Sequence, residues 1–315
     1  MRLLFVADVH GAEVILRKSL RAVAEYGASA LILAGDLSGK SLHPIVRRED
    51  GTFSAQRTSG VEIFSASTVG ELEQYLADRG QYFFHCTKSD VRRLHEDDAA
   101  VSEIFTGRII DRLEHWKNVI ASRLDLRAVQ VFITPGNDDP PELDEVLTSF
   151  EPMGILANLA EPYDFGTNEM ITLDYTNPTP WNTPREVSER ELSKKIEGKI
   201  RKLKRLERAI FNFHCPPFNT KIDSAPKLDN DLRPVIGLGE ETQAHVGSVA
   251  VRKAIEVAQP LLSLHGHIHE SAGEDVLGRT VCLNPGSEYW TGILHAYVVD
   301  IDRGGDLKNY FHIEG

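Results

Sequence analysis

The apolar residues fall into two rhythms along the chain. Compact runs at 2–7 (RLLFVA), 30–34 (ALILA) and 129–134 (VQVFIT) have the length and composition of buried strands. Between the first two, Val14, Ile15, Leu20, Val23 and Ala24 are spaced roughly as a helix would place them over 14–26. Strand, helix and strand in that order predict a parallel pair joined by a right-handed crossover. A short helix is expected over 143–150, and further apolar runs lie at 210–213 and 261–264. From Thr280 the helical period is lost. Residues 280–283, 294–301 and 307–313 read as strands, predicting a meander or a second sheet.

Two stretches interrupt this alternation. Residues 41–128 are read as an insertion carrying a hairpin and helices. The hairpin lies within 43–66, where Asp50-Gly51 is a turn signal. Helices are expected over 69–79 and 90–124, the latter spacing Val101, Ile104, Phe105, Ile109, Leu113, Trp116 and Ile120 along one face. Residues 177–184 (NPTPWNTP) are too rich in proline for a regular element. They lead into a helix over 186–208, with Leu192, Ile196, Ile200 and Leu203 as its apolar stripe and a solvated basic face. No internal repeat is visible, and 1–315 reads as one domain bearing the insertion.

Composition narrows the class. With 41% hydrophobic and 26% charged residues, the 315-residue chain can build a core, which excludes a disordered polymer. No apolar run approaches the roughly 18 residues of a membrane span. Residues 1–7 lack a basic leader and a cleavage site, so no signal peptide is expected. Cys86, Cys215 and Cys282 are odd in number and unpaired in spacing, which suggests reduced thiols and a cytoplasmic location. The net charge of −12 opposes binding to nucleic acid or anionic lipid.

Five short pieces at the ends of apolar runs carry the candidate chemistry. They are Asp8-Val9-His10, Gly35-Asp36, Gly136-Asn137-Asp138-Asp139, His214 and Gly266-His267-Ile268-His269. Each alone is common. Together they place ligands where loops converge at the carboxyl ends of strands. Asp, His and Asn supply mixed oxygen and nitrogen donors, suited to Mn, Fe, Zn, Co or Ni. Seven side chains exceed one tetrahedral ion and suit two ions ~3.5–4 Å apart that share a carboxylate. Two divalent cations against Asp8 and Asp36 leave a cationic centre that would attract phosphate.

In their order, these pieces resemble the calcineurin-like metallophosphoesterase family over the whole chain except 41–128 and 177–208. Asn284-Pro285-Gly286-Ser287 is similar to prokaryotic phosphodiesterase-type members. The resemblance implies an α/β fold, a four-layer α/β/β/α sandwich with the metals at strand ends. It implies Asp8, His10 and His269 on one divalent metal, Asn137, His214 and His267 on the other, and Asp36 between them. It also implies in-line attack on phosphorus by a metal-bound hydroxide. One departure stands out. Where the family has GNH, this chain has Gly136-Asn137-Asp138, so Asp138 replaces the histidine that contacts phosphate and protonates the leaving group. An ionised Asp138 would repel phosphate and a protonated one would donate. Selective hydrolysis, favouring esters with acidic leaving groups, is therefore expected.

Lesser candidates surround this set. Arg185 would hold a phosphate oxygen, and Trp181 would stack on a base or an aromatic leaving group. His265 is either a support for a ligand or ordinary strand packing. His43 is a candidate lid residue. His95-Glu96-Asp97-Asp98 reads as a solvated helix face, and Cys215 has no neighbouring base to make it a nucleophile. The expected function is hydrolysis of small phosphate esters, diesters ahead of monoesters, with a nucleotide or cyclic nucleotide favoured over DNA. The alternatives are a weakly active metal-binding scaffold, or a nuclease using the basic face near Lys194.

Overall fold

The computed structural model describes residues 1–157, 160–237 and 239–315. Two six-stranded sheets face each other. The first runs Leu307–Glu314, His295–Ile301, Arg2–Ala7, Ala30–Ala34, Gln130–Thr134, Ile155–Leu156. Its middle strands are parallel and in register, with Ala7 beside Ala34 and Ala34 beside Thr134. Three carboxyl ends therefore lie level. The second sheet runs Gly273–Leu277, Thr280–Asn284, Leu262–Leu264, Ala209–Phe213, Glu169–Leu173, Tyr163–Asp164, again with parallel central strands.

Successive side chains of a strand point to opposite faces, and the apolar runs use both. Leu4 and Val6 join Leu31, Leu33, Val131 and Ile133 under the helices Glu13–Tyr26 and Asp98–Arg123. Leu3 and Phe5 turn the other way and meet Ile210, Leu262 and Leu283 of the second sheet. Beyond that sheet, Ile171 and Phe211 pack on Leu192, Ile196, Val251 and Ile255 of the helices Glu189–Ile200 and Val249–Ala258. Three apolar interfaces separate four layers, giving an α/β/β/α sandwich.

Residues 41–128 hold a sheet of their own. Ser41–Arg47 and Phe53–Arg57 pair antiparallel across the Asp50-Gly51 turn, and Gly60–Phe64 extends the sheet. Gln81–Cys86, for which the hydropathy pattern predicts no element, pairs parallel with Ser41–Arg47. The helix expected over 90–124 is two helices, Lys88–Leu94 and Asp98–Arg123. Asp97 is the reason, because its side chain accepts from Ala100 N–H at 3.0 Å and starts a new helix. His95-Glu96-Asp97-Asp98 thus spans a junction, not a helix face. The three C-terminal strands also divide differently. Thr280–Asn284 lies in the second sheet, while His295–Ile301 and Leu307–Glu314 form a hairpin at the edge of the first. The helix expected over 186–208 is Glu189–Ile200, started by a Ser188–Glu191 capping box.

Candidate metal centre

The level strand ends deliver their loops to one place. Two backbone bonds, His10 N–H to Asp36 O at 2.9 Å and Gly11 N–H to Leu37 O at 2.7 Å, stitch the first loop to the second. Gly266 N–H reaches across to His214 O at 3.0 Å. Asp8, His10, Asp36 and His267 all have positive φ, between 38° and 69°, a region that non-glycine residues rarely occupy. Four such residues in one cluster indicate that the fold holds these side chains in place against local preference. Glycine is required beside them. A Cβ on Gly136 would lie 2.3 Å from both Asp36 N and its Oδ1, and one on Gly35 would lie 2.0 Å from His214 Nδ1.

Two groups of donor atoms result. Asp8, His10, Asp36 and His269 form one, and Asp36, His214 and His267 the other, each with ligand atoms within 4.8 Å of one another. Asp36 belongs to both. His10 Nε2 is 3.1 Å from His269 Nε2 and 3.6 Å from Asp36 Oδ2. His214 Nε2 is 3.3 Å from Asp36 Oδ1 and 2.9 Å from Asn137 Oδ1, which adds Asn137 to the second group. His10 Nδ1 donates to Ser38 O at 3.1 Å, leaving Nε2 as a lone pair turned inward. Asn137 is oriented the same way. Its amide donates to Thr183 Oγ1 at 2.8 Å and to Asp138 Oδ1, so its oxygen faces His214. Thr183 lies in the proline-rich stretch, which thereby acts as a brace.

The charges suit divalent cations. Burial keeps the four histidines neutral: it lowers His10 well below its usual range, His214 and His267 to about 4, and His269 to about 3. Burial, then Asp36, raises Asp8, and burial raises Asp36. Asp8 Oδ1 and His214 Nδ1 are buried with no hydrogen-bond partner. Closely packed carboxylates, inward lone pairs and unsatisfied buried atoms are costly unless positive charge lies among them. The donor set fits two ions sharing Asp36.

Three further residues shape this site, of which the sequence displays only Asp139, as the last residue of the Gly136-Asn137-Asp138-Asp139 piece and without a role. Asp139 is fully buried and binds the loops together, accepting from Leu37 N–H, Ser38 N–H and Gly136 N–H, each at 2.8 Å, and from Ser38 Oγ–H at 2.6 Å. Burial, then Asp36, raises its carboxyl to about 6. Lys40 Nζ sits 2.6 Å from Asp138 Oδ2. Burial works against the Lys40 ammonium, but Asp138 and Asp36 outweigh it and hold its pKa above the ordinary value. Asp138 is raised by burial and by Asp36, opposed by Lys40. Lys40 and Asp138 thus face the site as a contacting pair. The third residue is Trp290, 49% exposed and stacked with His269 at 6.3 Å, while Tyr289 covers His10 at 4.6 Å.

Other candidates take different places. Arg185, expected on a phosphate oxygen, is only 3% exposed. Its guanidinium is committed to Asp174 at 2.6 Å, Asp144 at 2.7 Å and the carbonyls of Asp139 and Pro140. It fastens the loop after Asn137 to the second sheet. Trp181 is exposed on the brace loop, and the tryptophan that stacks on a candidate ligand is Trp290. His265 Nδ1 meets the carbonyls of Phe213 and Cys215 at 2.8 and 2.9 Å, gripping the backbone on both sides of His214. Burial pushes the Cys215 thiol far up, and its Sγ lies 2.8 Å from Asn177 Oδ1. His43 lies in the strand Ser41–Arg47.

No family model matches the chain. An uncharacterized protein of Methanocaldococcus jannaschii is 32% identical over 159 residues, a match spanning 50% of this chain and 64% of that relative. One crystal structure aligns over 99% of this chain and 98% of its own, at 16% identity and a TM-score of 0.56. A dimetal phosphatase from Danio rerio aligns over 99% of this chain and 98% of its own, at 10% identity and a TM-score of 0.44. No described helix is long and apolar enough to cross a membrane. The paired sheets, their flanking helices and the loops at the level strand ends make a four-layer α/β/β/α sandwich, a fold the crystal structure at a TM-score of 0.56 shares over nearly its whole length.

Proposed function

We propose that the protein is a dinuclear metal-dependent phosphoesterase acting on small phosphate esters, diesters ahead of monoesters. The observation that carries this reading is the sharing of Asp36 by two ligand groups that otherwise have separate members. Bound there, two divalent ions such as Mn, Fe, Zn, Ni or Co would supply Lewis acidity and an activated water. The side chains do the rest. Asn137 and the four histidines hold donor atoms in fixed directions. Lys40 offers an ammonium N–H at the edge of the site, where a phosphoryl or leaving-group oxygen would otherwise meet only the Asp138 carboxylate. Lys40 and Asp138 together stand where the family places one histidine. Such a pair supplies charge more readily than a proton, which favours esters whose leaving groups need little protonation.

The surroundings suggest the substrate's size. A cavity of about 280 Å³ opens beside this pair, walled by Ser38, Phe105, Thr106, Ile109, Pro140 and Pro184. Phe105, Thr106 and Ile109 belong to the long insertion helix, so the insertion borders the pocket. One apolar wall and several hydroxyls suit a nucleoside or another aromatic alcohol, and Trp290 offers a stacking face on another side of the cluster. The net charge of −12 favours such small ligands over nucleic acid, and the three free buried thiols accord with a cytoplasmic setting.

Hydrolysis of bis-p-nitrophenyl phosphate and p-nitrophenyl phosphate with Mn²⁺, Co²⁺, Ni²⁺, Zn²⁺ or none tests the reading, with Asp36→Asn as control. Metal-dependent cleavage that the control abolishes is expected, faster for the diester. A second reading rests on the insertion. Val61 and Ile63, 68% and 59% exposed, project from its edge strand Gly60–Phe64. Absence of turnover in protein that binds two ions would favour a metal-binding scaffold that docks a partner on that edge.

A further inference from the structure

A second set of ligands lies outside the centre, on the C-terminal hairpin of the first sheet. His295–Ile301 and Leu307–Glu314 pair antiparallel, with His295 opposite Glu314 and Tyr297 opposite His312. That register puts His295, His312 and Glu314 on one face of the sheet, adjacent or diagonal to one another. Nδ1 or Nε2 of each histidine and a Glu314 carboxylate oxygen lie within 4.8 Å of one another.

The outer nitrogens are already engaged. His312 Nε2 lies 2.9 Å from Pro285 O, a bond in which only the histidine can donate. His295 Nε2 lies 3.4 Å from the Glu288 carboxylate. With both protons on Nε2, both Nδ1 lone pairs turn inward. Each Nδ1 is 3.8 Å from Glu314 Oε1, too far for a hydrogen bond. His295 Nδ1 is buried and has no hydrogen-bond partner. Two lone pairs facing a carboxylate repel unless positive charge lies between them. Ligands about 2 Å from a common tetrahedral ion stand roughly 3.4 Å apart. The two 3.8 Å gaps to Glu314 reach that spacing after a small movement of its side chain, which is 64% exposed. Imidazole tied through its far nitrogen to a carboxylate or a carbonyl is also how proteins orient histidine toward a metal.

We propose that His295, His312 and Glu314 bind a further divalent cation of the zinc or cobalt class, distinct from the pair held around Asp36. Two imidazoles and one carboxylate suit such ions and leave the fourth position to water. The site fixes more than the hairpin. Pro285 and Glu288, which orient its histidines, flank Gly286 and Ser287, and Ser287 Oγ donates to Asp8 O at 2.7 Å. The next residues are Tyr289 and Trp290, which cover His10 and His269. An ion on the hairpin therefore holds the outer side of the loop that closes over the candidate centre.

Metal counting tests the proposal. Apoprotein is equilibrated with Co²⁺ or Zn²⁺, dialysed, and its metal measured by elemental analysis. Wild type is compared with His312→Ala and with Glu314→Gln, whose exposed side chain carries little folding risk. Circular dichroism checks the fold of each. One ion fewer per chain in both variants is expected, with the visible absorption of one tetrahedral Co²⁺ lost. Asp36→Asn should keep that absorption. If the centre around Asp36 binds nothing, wild type still takes up one ion that His312→Ala lacks, so the two readings fail separately. Equal metal content in wild type and in both folded variants would overturn the proposal and leave a proton where the cation was placed.

Discussion

Two histidine–carboxylate clusters among the described residues are built by opposite means. The cluster around Asp36 takes its members from five loops on two sheets, and four of its residues hold left-handed backbone. The hairpin cluster takes its members from two neighbouring strands in ordinary extended geometry, placed by register alone. The first is buried and exists only when the whole sandwich has formed. The second is half-exposed and needs one hairpin and one loop. Buried, strained construction fixes donor directions for chemistry. A register-built site has one flexible, exposed ligand and suits holding a segment in place.

The contrast can be broken experimentally, most sharply at its centre. Asp36→Asn removes the shared ligand, so kcat/KM for an activated diester should fall by at least about a thousandfold, some 4 kcal/mol of barrier. A loss under tenfold would mean that the groups do not act together. Asp139→Asn turns an amide toward N–H donors that now meet a carboxylate. It should cost about 3 kcal/mol of stability, read as a lower denaturant midpoint at unchanged slope. Nothing comparable ties the hairpin cluster, so Glu314→Gln in metal-free protein should shift stability by no more than about 0.5 kcal/mol. Lys40→Met should lower kcat/KM by about tenfold to a hundredfold and weaken inhibition by inorganic phosphate, while bound metal stays constant. Unchanged phosphate inhibition would remove Lys40 from the substrate's path.

The smallest effect concerns how the hairpin is anchored. Arg2 binds Asp300 with two bonds, Nε to Oδ1 at 2.7 Å and Nη2 to Oδ2 at 3.0 Å. The hydrogen bond and charge of Arg2 hold the Asp300 carboxyl below its ordinary 3.8. A lowered carboxyl stabilises the fold fully above 3.8 and loses that contribution as pH falls through the lowered value. Arg2 is well exposed, so the contribution is at most about 0.5 kcal/mol. Thermal melts of wild type and Asp300→Asn should differ slightly near neutral pH and converge in acid.

The sequence displays the first cluster and hides the second. Asp8, Asp36 and Asn137 are visible because each follows an apolar run, and parallel strands in register bring such ends together. Lys40 has no comparable signal, and Asp139 shows only as the last residue of its piece, since the roles of both depend on how the second and third loops meet. Arg185 looks free to meet a phosphate because an arginine near a ligand loop shows no partners in one dimension. Only the fold reveals Asp144 and Asp174 beside it. His295, His312 and Glu314 sit in alternating strands without any spacing motif. Their meeting depends on a register set partly by the irregularity at Asp300 and Ile301, which the hydropathy pattern does not show.

The left-handed backbone at Asp8, His10, Asp36 and His267 bears on the kinetics of loading. A cavity whose walls are already set has no folding step to wait for, so ion uptake should be limited by how fast the incoming cation sheds its water. Cations that exchange water quickly would fill the centre first, whatever the final order of affinities, and a slowly exchanging ion would arrive late and remain. The metal found in freshly made protein would then record the supply during synthesis as much as the preference of the ligands.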